Sequence, residues 1–121
     1  MSAAHQRAIR APFREVAHEL RDLLGARLAA YIGCVAETRA VRAWADGARA
    51  PGNEVQQRFR IALQVALLLN ESDGREVTQA WFQGLNPSSY DRSPARLLRE
   101  GTVDETGPQV LAAARAFLVG G

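Results

Sequence analysis

Apolar residues recur at three- and four-residue steps along most of the chain, which is the spacing of amphipathic α-helices. The first stripe follows Pro12 and comprises Phe13, Val16, Ala17, Leu20, Leu23, Leu24, Leu28, Tyr31 and Ile32. Gly25 interrupts this stripe, so we predict two helices, at about residues 12–24 and 26–32. Residues 1–11 have no apolar face, and we predict a disordered arm there.

A short third helix is predicted after a turn of small residues at positions 33–36. It begins near Thr38 and stops at Gly47. Arg39 and Arg42 share one face of this helix, away from its apolar side chains. This layout is typical of a DNA-reading helix. A solvated arginine pair on an ordinary bundle helix gives the same pattern, and this segment alone does not separate the two.

The second half of the chain is also helical by pattern. Residues 54–70 are apolar nearly all round, which predicts a central buried helix or one that enters a dimer interface. A helix at 75–84 places Trp81 inward, and the last helix is predicted at 110–119 after a polar connector, Thr102–Gln109. We therefore expect an all-α protein.

A short helix is also predicted between two prolines and a glycine. Ser93 is a favourable N-cap, Pro94 suits the first helical position, and Gly101 ends the helix. Its Leu97 and Leu98 are expected in the core rather than in a partner contact.

Composition narrows the class of protein. With 121 residues, 47% apolar and 23% charged, the chain suits one globular domain or two small helical modules that share a core. The longest apolar run, at 65–69, is far below the roughly 18–20 residues that span a bilayer, so no membrane partner is expected. The N-terminus lacks a signal-peptide core, and the single Cys34 excludes an internal disulfide. We predict a cytoplasmic protein.

The charge is distributed unevenly. All fifteen basic residues are arginine; residues 1–60 hold ten of them against six acids, and residues 61–121 hold five against seven. A basic first half is compatible with phosphate contacts. The chain offers no paired-carboxylate or Cys/His constellation, no phosphate-cradling glycine loop and no metal-ligand spacing. We therefore predict no enzyme activity, no catalytic residues, no metal and no cofactor.

Two segments resemble Xre-type regulators. Residues 44–51, WADGARAP, closely resemble the end of the DNA-reading helix in that family, and residues 28–33, LAAYIG, resemble the preceding helix. The spacing from Gly33 to Val41 is about two residues longer than the usual Xre spacing. The resemblance implies a homodimer that reads operator DNA, with Thr38, Arg39 and Arg42 nearest the bases and Arg49 on phosphate.

The C-terminal half resembles the toxin-binding domain of Xre/MbcA/ParS-type antitoxins. The pattern is a helix ending in Trp81, then Asn86-Pro87, then residues 92–101, RSPARLLREG. With the preceding helices, the likeness covers about Leu20 to the C-terminus. The implied division is a helix-turn-helix region at 12–69 packed on a toxin-binding domain at 70–121.

This resemblance implies an antitoxin that neutralises a RES-domain, NAD-consuming toxin by covering its active site and represses its own operon. The implied toxin-binding residues are Asn86, Pro87, Tyr90, Arg92, Pro94, Arg96, Arg99, Val119, Gly120 and Gly121. The alternative is an Xre-type transcriptional regulator without a toxin partner, which would have no need for the 86–101 constellation.

Overall fold

The computed structural model describes residues 3–84 and 92–120. Within these ranges the protein is all-α, as predicted, with eight helices and no strand. The helices are α1 (Ala3–Arg10), α2 (Phe13–Leu24), α3 (Ala26–Ile32), α4 (Thr38–Ala45), α5 (Asn53–Asp73), α6 (Arg75–Phe82), α7 (Pro94–Glu100) and α8 (Val103–Gly120). None of these helices is long and apolar enough to cross a membrane.

The breaks between helices follow local sequence chemistry. Gly25 has a φ of +89° between α2 and α3, and Gly74 has a φ of +88° between α5 and α6. Residues that carry a side chain rarely adopt this left-handed backbone conformation, whereas glycine adopts it without steric cost. At the start of α7, the Ser93 hydroxyl accepts a hydrogen bond from the Arg96 amide at 3.0 Å. The predicted helices at 12–24 and 26–32 and the predicted cap of α7 are confirmed.

Helix α5 lies at the centre of the fold. It contacts α1, α2, α6 and α8, and its buried apolar residues are Phe59, Ala62, Leu63, Val65, Ala66 and Leu69. This arrangement is the first of the two alternatives that its nearly all-round apolar pattern predicted. The buried apolar side chains of both halves of the chain, including Trp81 and Leu98, belong to one shared cluster.

Three aromatic rings fix α4 against α2 and α5. The Trp44 ring centroid lies 6.3 Å from that of Phe13 and 5.5 Å from that of Phe59, with edge-to-face geometry in both pairs. Aromatic pairs at such separations add to the energy of simple burial. Gly33 passes close beneath this cluster, since a Cβ added there would lie 3.1 Å from Trp44 Cζ3 and 3.2 Å from Phe59 Cε1.

The N-terminal residues differ from the sequence expectation of a disordered arm. Residues 3–10 form α1, which packs on α5 and buries Ala4 and Ala8. Arg60 of α5 donates from Nη1 to the carbonyl oxygens of Ala8 at 3.0 Å, Ile9 at 3.2 Å and Ala11 at 2.8 Å. Those carbonyls have no partner within a helix that ends there. Arg60, which is distant in the sequence, therefore holds the end of α1 through contacts that the local sequence pattern does not show.

The last helix also begins earlier than predicted, because α8 includes most of the expected connector. The Thr102 carbonyl accepts hydrogen bonds from the Glu105 amide at 3.1 Å, the Thr106 amide at 2.9 Å and the Thr106 hydroxyl at 3.0 Å. Pro108 stands only one and a half turns into α8, and Gly107 is buried near Ile61 of α5. Packing on α5 outweighs the low helix propensity of glycine and proline.

Candidate nucleic-acid interface

Helices α3 and α4 are joined by a tight five-residue turn, residues 33–37. The Cys34 amide donates to the Tyr31 carbonyl at 3.2 Å and the Val35 amide donates to the Ala30 carbonyl at 3.1 Å. Cys34 has a φ of +58°, the left-handed conformation that reverses the chain at the end of α3. Glu37 is extended and precedes the first residue of α4. The end of α3 is thus closed by its own turn.

Arg58 of α5 supports this turn from the core side through hydrogen bonds. Its Nη1 donates to the Ile32 carbonyl at 3.2 Å and to Cys34 Sγ at 3.6 Å, and its Nη2 donates to Glu54 at 3.4 Å. Only 6% of the Arg58 side chain is exposed. Arg58 is therefore a buried residue that holds the turn in place.

Helix α4 presents one apolar and one polar face. Val41 and Trp44 are buried, whereas Thr38, Arg39 and Arg42 are exposed. Residues three and four apart lie on the same side of a helix, so the three exposed side chains form one surface. Arg49, in the segment after α4, is also exposed. The four residues predicted to contact DNA are therefore all accessible.

Two adjoining open grooves run beside α4. The first, of about 670 Å³, is lined by Arg27 of α3, Arg39 of α4 and Arg99 of α7; the second, of about 560 Å³, is lined by Arg39 and Arg49. The grooves share Val35, Ala36, Glu37 and Arg39, so they form one continuous surface. We call this surface the basic groove, defined by Arg27, Arg39, Arg49 and Arg99.

Glu37 is the one carboxylate that lines the basic groove among the described residues. Its Oε2 pairs with Arg39 Nε at 2.6 Å, and both side chains are well exposed. Exposed ion pairs of this kind contribute only about 0–1 kcal/mol because water and salt screen them. The pair therefore leaves the groove positive and does not lock Arg39 away from a ligand.

Arg99 joins α7 to the end of α3. Its guanidinium carbon lies 4.6 Å from the centroid of the Tyr31 ring, and its Nη1 donates to the Tyr31 carbonyl at 2.7 Å. Its own carbonyl oxygen accepts a hydrogen bond from Cys34 Sγ at 3.4 Å. Arg99 was predicted to bind a toxin, whereas the structure places its side chain at the wall of the basic groove.

The remaining residues predicted to bind a toxin are distributed differently. Asn86, Pro87, Tyr90 and Gly121 lie outside the described residues. Arg92, Arg96, Val119 and Gly120 are exposed, whereas Pro94 is buried in the first turn of α7. Arg96 donates from Nε to Glu100 at 2.6 Å, and this hydrogen bond raises the pKa of the Arg96 guanidinium above its ordinary value. Arg96 is therefore already paired with Glu100 on the surface of α7.

Two residues of this surface were missed in the sequence. Arg27 and Tyr31 lie four residues apart on α3 and both line the first groove. Tyr31 was counted only as part of the apolar stripe, yet 37% of it is exposed. The available signal was the i, i+4 spacing of these two residues, which places them together on one side of α3.

The described residues contain no group of three or more His, Cys, Asp or Glu side chains that could hold a metal ion. The sequence matches no family model. Neither a curated protein nor a solved structure is significantly similar to it.

Proposed function

We propose that this chain is a DNA-binding antitoxin, in which α3 and α4 act as a helix-turn-helix and the C-terminal half inhibits a RES-domain toxin. The observation that carries the DNA-binding part is the exposed arginine face of α4, supported from behind by aromatic packing and bordered by the basic groove. The toxin-binding part depends on the sequence pattern at residues 81–101.

The chemistry of α4 suits base recognition. The major groove of B-DNA admits an α-helix, and an arginine fork matches two acceptors of guanine. Arg39 and Arg42 would supply such contacts, and Thr38 a shorter one, while Arg49 lies beyond the helix in a position suited to phosphate. Trp44, buried behind this face, keeps α4 in a fixed position, as precise recognition requires.

A helix of eight residues reads only a few base pairs, so we expect a homodimer on two half-sites. In such dimers the two recognition helices lie about 34–36 Å apart, one turn of DNA. The operator would then carry an inverted repeat with that spacing.

For the toxin, accessible side chains of the C-terminal half are the relevant feature. Arg92 and Arg96 are exposed near α7, and Val119 is 88% exposed at the end of α8. Guanidinium groups form directional hydrogen bonds with carboxylates and carbonyls, as contacts at the rim of an active-site cleft require. Tyr90 would serve as an amphipathic anchor.

The DNA-binding part is tested with the full chain and a labelled duplex taken from immediately upstream of its own reading frame. A shuffled duplex of equal composition serves as the reference, and fluorescence anisotropy is measured at several salt concentrations. We expect preference for the upstream duplex, and loss of that preference in Arg39→Ala/Arg42→Ala. The control is Arg75→Ala/Arg115→Ala, which removes the same charge from exposed sites on α6 and α8. Equal binding of both duplexes by the unmodified chain would exclude an operator-reading function.

The toxin-binding part is tested by cellular NAD after induction of the adjacent reading frame, with and without this chain. We expect NAD to fall when the neighbour is expressed alone and to be preserved on co-expression, also with Arg39→Ala/Arg42→Ala. A harmless neighbour, or a fall in NAD regardless of this chain, would leave the Xre-type regulator without a toxin as the better reading.

A further inference from the structure

We infer that Arg27 and Arg99, beside the base-reading Arg39, together form a site for a backbone phosphate of duplex DNA, so that α7 takes part in DNA contact. This inference rests on the proposed DNA-binding function and adds residues from outside the α3–α4 pair. Arg27 of α3 and Arg99 of α7 line the same groove of about 670 Å³ as Arg39 of α4. Two helices besides α4 thus contribute a cation to the groove beside the start of α4.

The arrangement matches the requirements of a phosphate rather than of a base. Guanidinium groups bind phosphate oxygens through forked, charge-assisted hydrogen bonds. The groove is flanked by the N-terminal residues of α4, including Thr38, where the helix dipole adds to the positive potential. A phosphate held beside the start of α4 would set the depth and register of that helix in the major groove.

Arg99 is held ready for such a contact. Its cation stacks on the Tyr31 ring, and Nη1 is fixed by the Tyr31 carbonyl. A side chain already restrained in one geometry loses less conformational entropy when it binds. The hydrogen bond uses one nitrogen of the guanidinium, and the other nitrogens remain as donors.

The shape of the basic groove favours a polyanion over a small ligand. The groove is open and continues past Arg39 to Arg49, so positive charge extends along α4 rather than closing around one anion. Successive phosphates of a DNA strand fit a row of cations, whereas a free phosphate would use one position only. Glu37 repels a negatively charged ligand that approaches its carboxylate. The pairing of Glu37 with Arg39 reduces this repulsion.

The experiment measures how duplex affinity depends on salt. Each phosphate contact contributes about 0.9 to the slope of log K against log salt concentration for B-DNA. We compare the unmodified chain with Arg27→Gln and Arg99→Gln, and Arg115→Gln on exposed α8 is the matched control. We expect each groove variant to lower the slope by about 1 and to weaken the upstream and shuffled duplexes by the same factor. The control should leave the slope unchanged.

Two further measurements distinguish the loss of a charge from a disturbed fold, and a DNA phosphate from a free phosphate ion. Arg99→Lys keeps the charge, so it should have the same salt-dependence slope as the unmodified chain. A slope that is lowered in Arg99→Lys but not in Arg27→Gln would indicate a disturbed α7 and would overturn the shared site. Inorganic phosphate titrated by calorimetry should bind weakly; tight binding that requires Arg27 and Arg99, with an unchanged duplex slope, would assign the site to a free anion instead.

Two outcomes distinguish this inference from the proposed function. If the unmodified chain binds both duplexes equally but Arg27→Gln and Arg99→Gln still lower the slope, operator reading fails and the phosphate site stands. If the chain prefers the upstream duplex and the slope is unchanged in both variants, the phosphate site fails and operator reading stands. Loss of NAD protection in Arg99→Gln with an unchanged slope would place Arg99 in a protein interface, against this inference.

Discussion

Arg58 reaches from the central helix to the last carbonyl of α3, with 3.2 Å between its Nη1 and the Ile32 oxygen. The Ile32 carbonyl is one of the groups that a helix end leaves without an internal partner. The same Nη1 lies 3.6 Å from Cys34 Sγ, so one buried cation supports two successive points of the α3–α4 turn. The position of α4 is therefore set from the core and not only by the turn itself.

Arg58→Met should destabilise the protein and loosen the turn. Methionine fills much of the same space, but the Ile32 carbonyl loses its donor, which costs about 1–3 kcal/mol for a buried acceptor. Urea denaturation measures the stability, and the exposed Arg115→Met is the control, expected within about 0.5 kcal/mol of the unmodified chain. Equal stability of the two variants would show that the Arg58 contacts contribute nothing.

Gly33→Ala tests the close approach beneath the aromatic cluster. The added methyl group would lie 3.1 Å from Trp44 Cζ3 and 3.2 Å from Phe59 Cε1, so the rings must shift. Overpacking of this kind costs about 1–3 kcal/mol. We expect a lower urea midpoint and a changed near-ultraviolet dichroism of tryptophan. Gly120→Ala, which meets no atom within 4 Å, is the control; a spectrum unchanged in both variants would contradict the close approach.

Gly101→Ala should disturb the junction of α7 and α8. The new methyl group would overlap Cγ2 of the buried Thr106 and lie 3.1 Å from the Leu97 carbonyl oxygen. We expect a loss of about 1–3 kcal/mol in the free energy of unfolding. Thr106→Ser removes Cγ2 but keeps the hydroxyl, so the double variant should recover part of the loss. A double variant with the sum of the two single losses would rule out this overlap as the cause.

Ser93→Ala removes the cap of α7. The Ser93 hydroxyl accepts from the Arg96 amide at 3.0 Å, and loss of such a cap costs about 1 kcal/mol. Thermal and urea denaturation should both show this loss. The control is Ser72→Ala, where the hydroxyl bonds, within residues 3–84 and 92–120, only to the neighbouring Asp73 on the surface. Similar losses in the two variants would indicate that the cap has no special role.

Much of the fold could be predicted from local pattern. The stripe from Phe13 to Ile32, its break at Gly25 and the Ser93-Pro94 helix start all depend on neighbours within one or two turns, and all are present. The predicted α4 also ends within a residue or two of the observed helix. Periodicity and caps are sequence-local, so the sequence shows them directly.

The errors arose where distant contacts decide the structure. Helix α1 is anchored by Arg60, about fifty residues away in the chain, and the start of α8 is stabilised by packing of Gly107 near Ile61. Neither contact is visible in a local window, and glycine and proline near the start of α8 suggested a connector instead. Tertiary packing overrides intrinsic propensity at both ends of the chain.

The candidate site, like the fold, could be predicted from the sequence only in part. The exposure of Arg39 and Arg42 follows from helix periodicity, and this prediction is confirmed. The convergence of Arg27 and Arg99 on Arg39 depends on how α7 packs against α3, which no spacing in the sequence specifies. The burial of Arg58 likewise depends on how α5 packs against the α3–α4 turn, which the local sequence does not show.

We expect α1, whose C-terminal end is held by Arg60 through three carbonyls, to open without the rest of the protein. Only Ala4 and Ala8 of this helix are buried, so little apolar area holds it besides Arg60 and the Arg7–Glu19 ion pair with α2. Segments with few buried contacts exchange their amide hydrogens through local opening, at a lower free energy than global unfolding. Arg60→Met should therefore speed exchange in α1 while protection in α5 falls far less. Equal loss in both helices would show that α1 opens only when the whole core does.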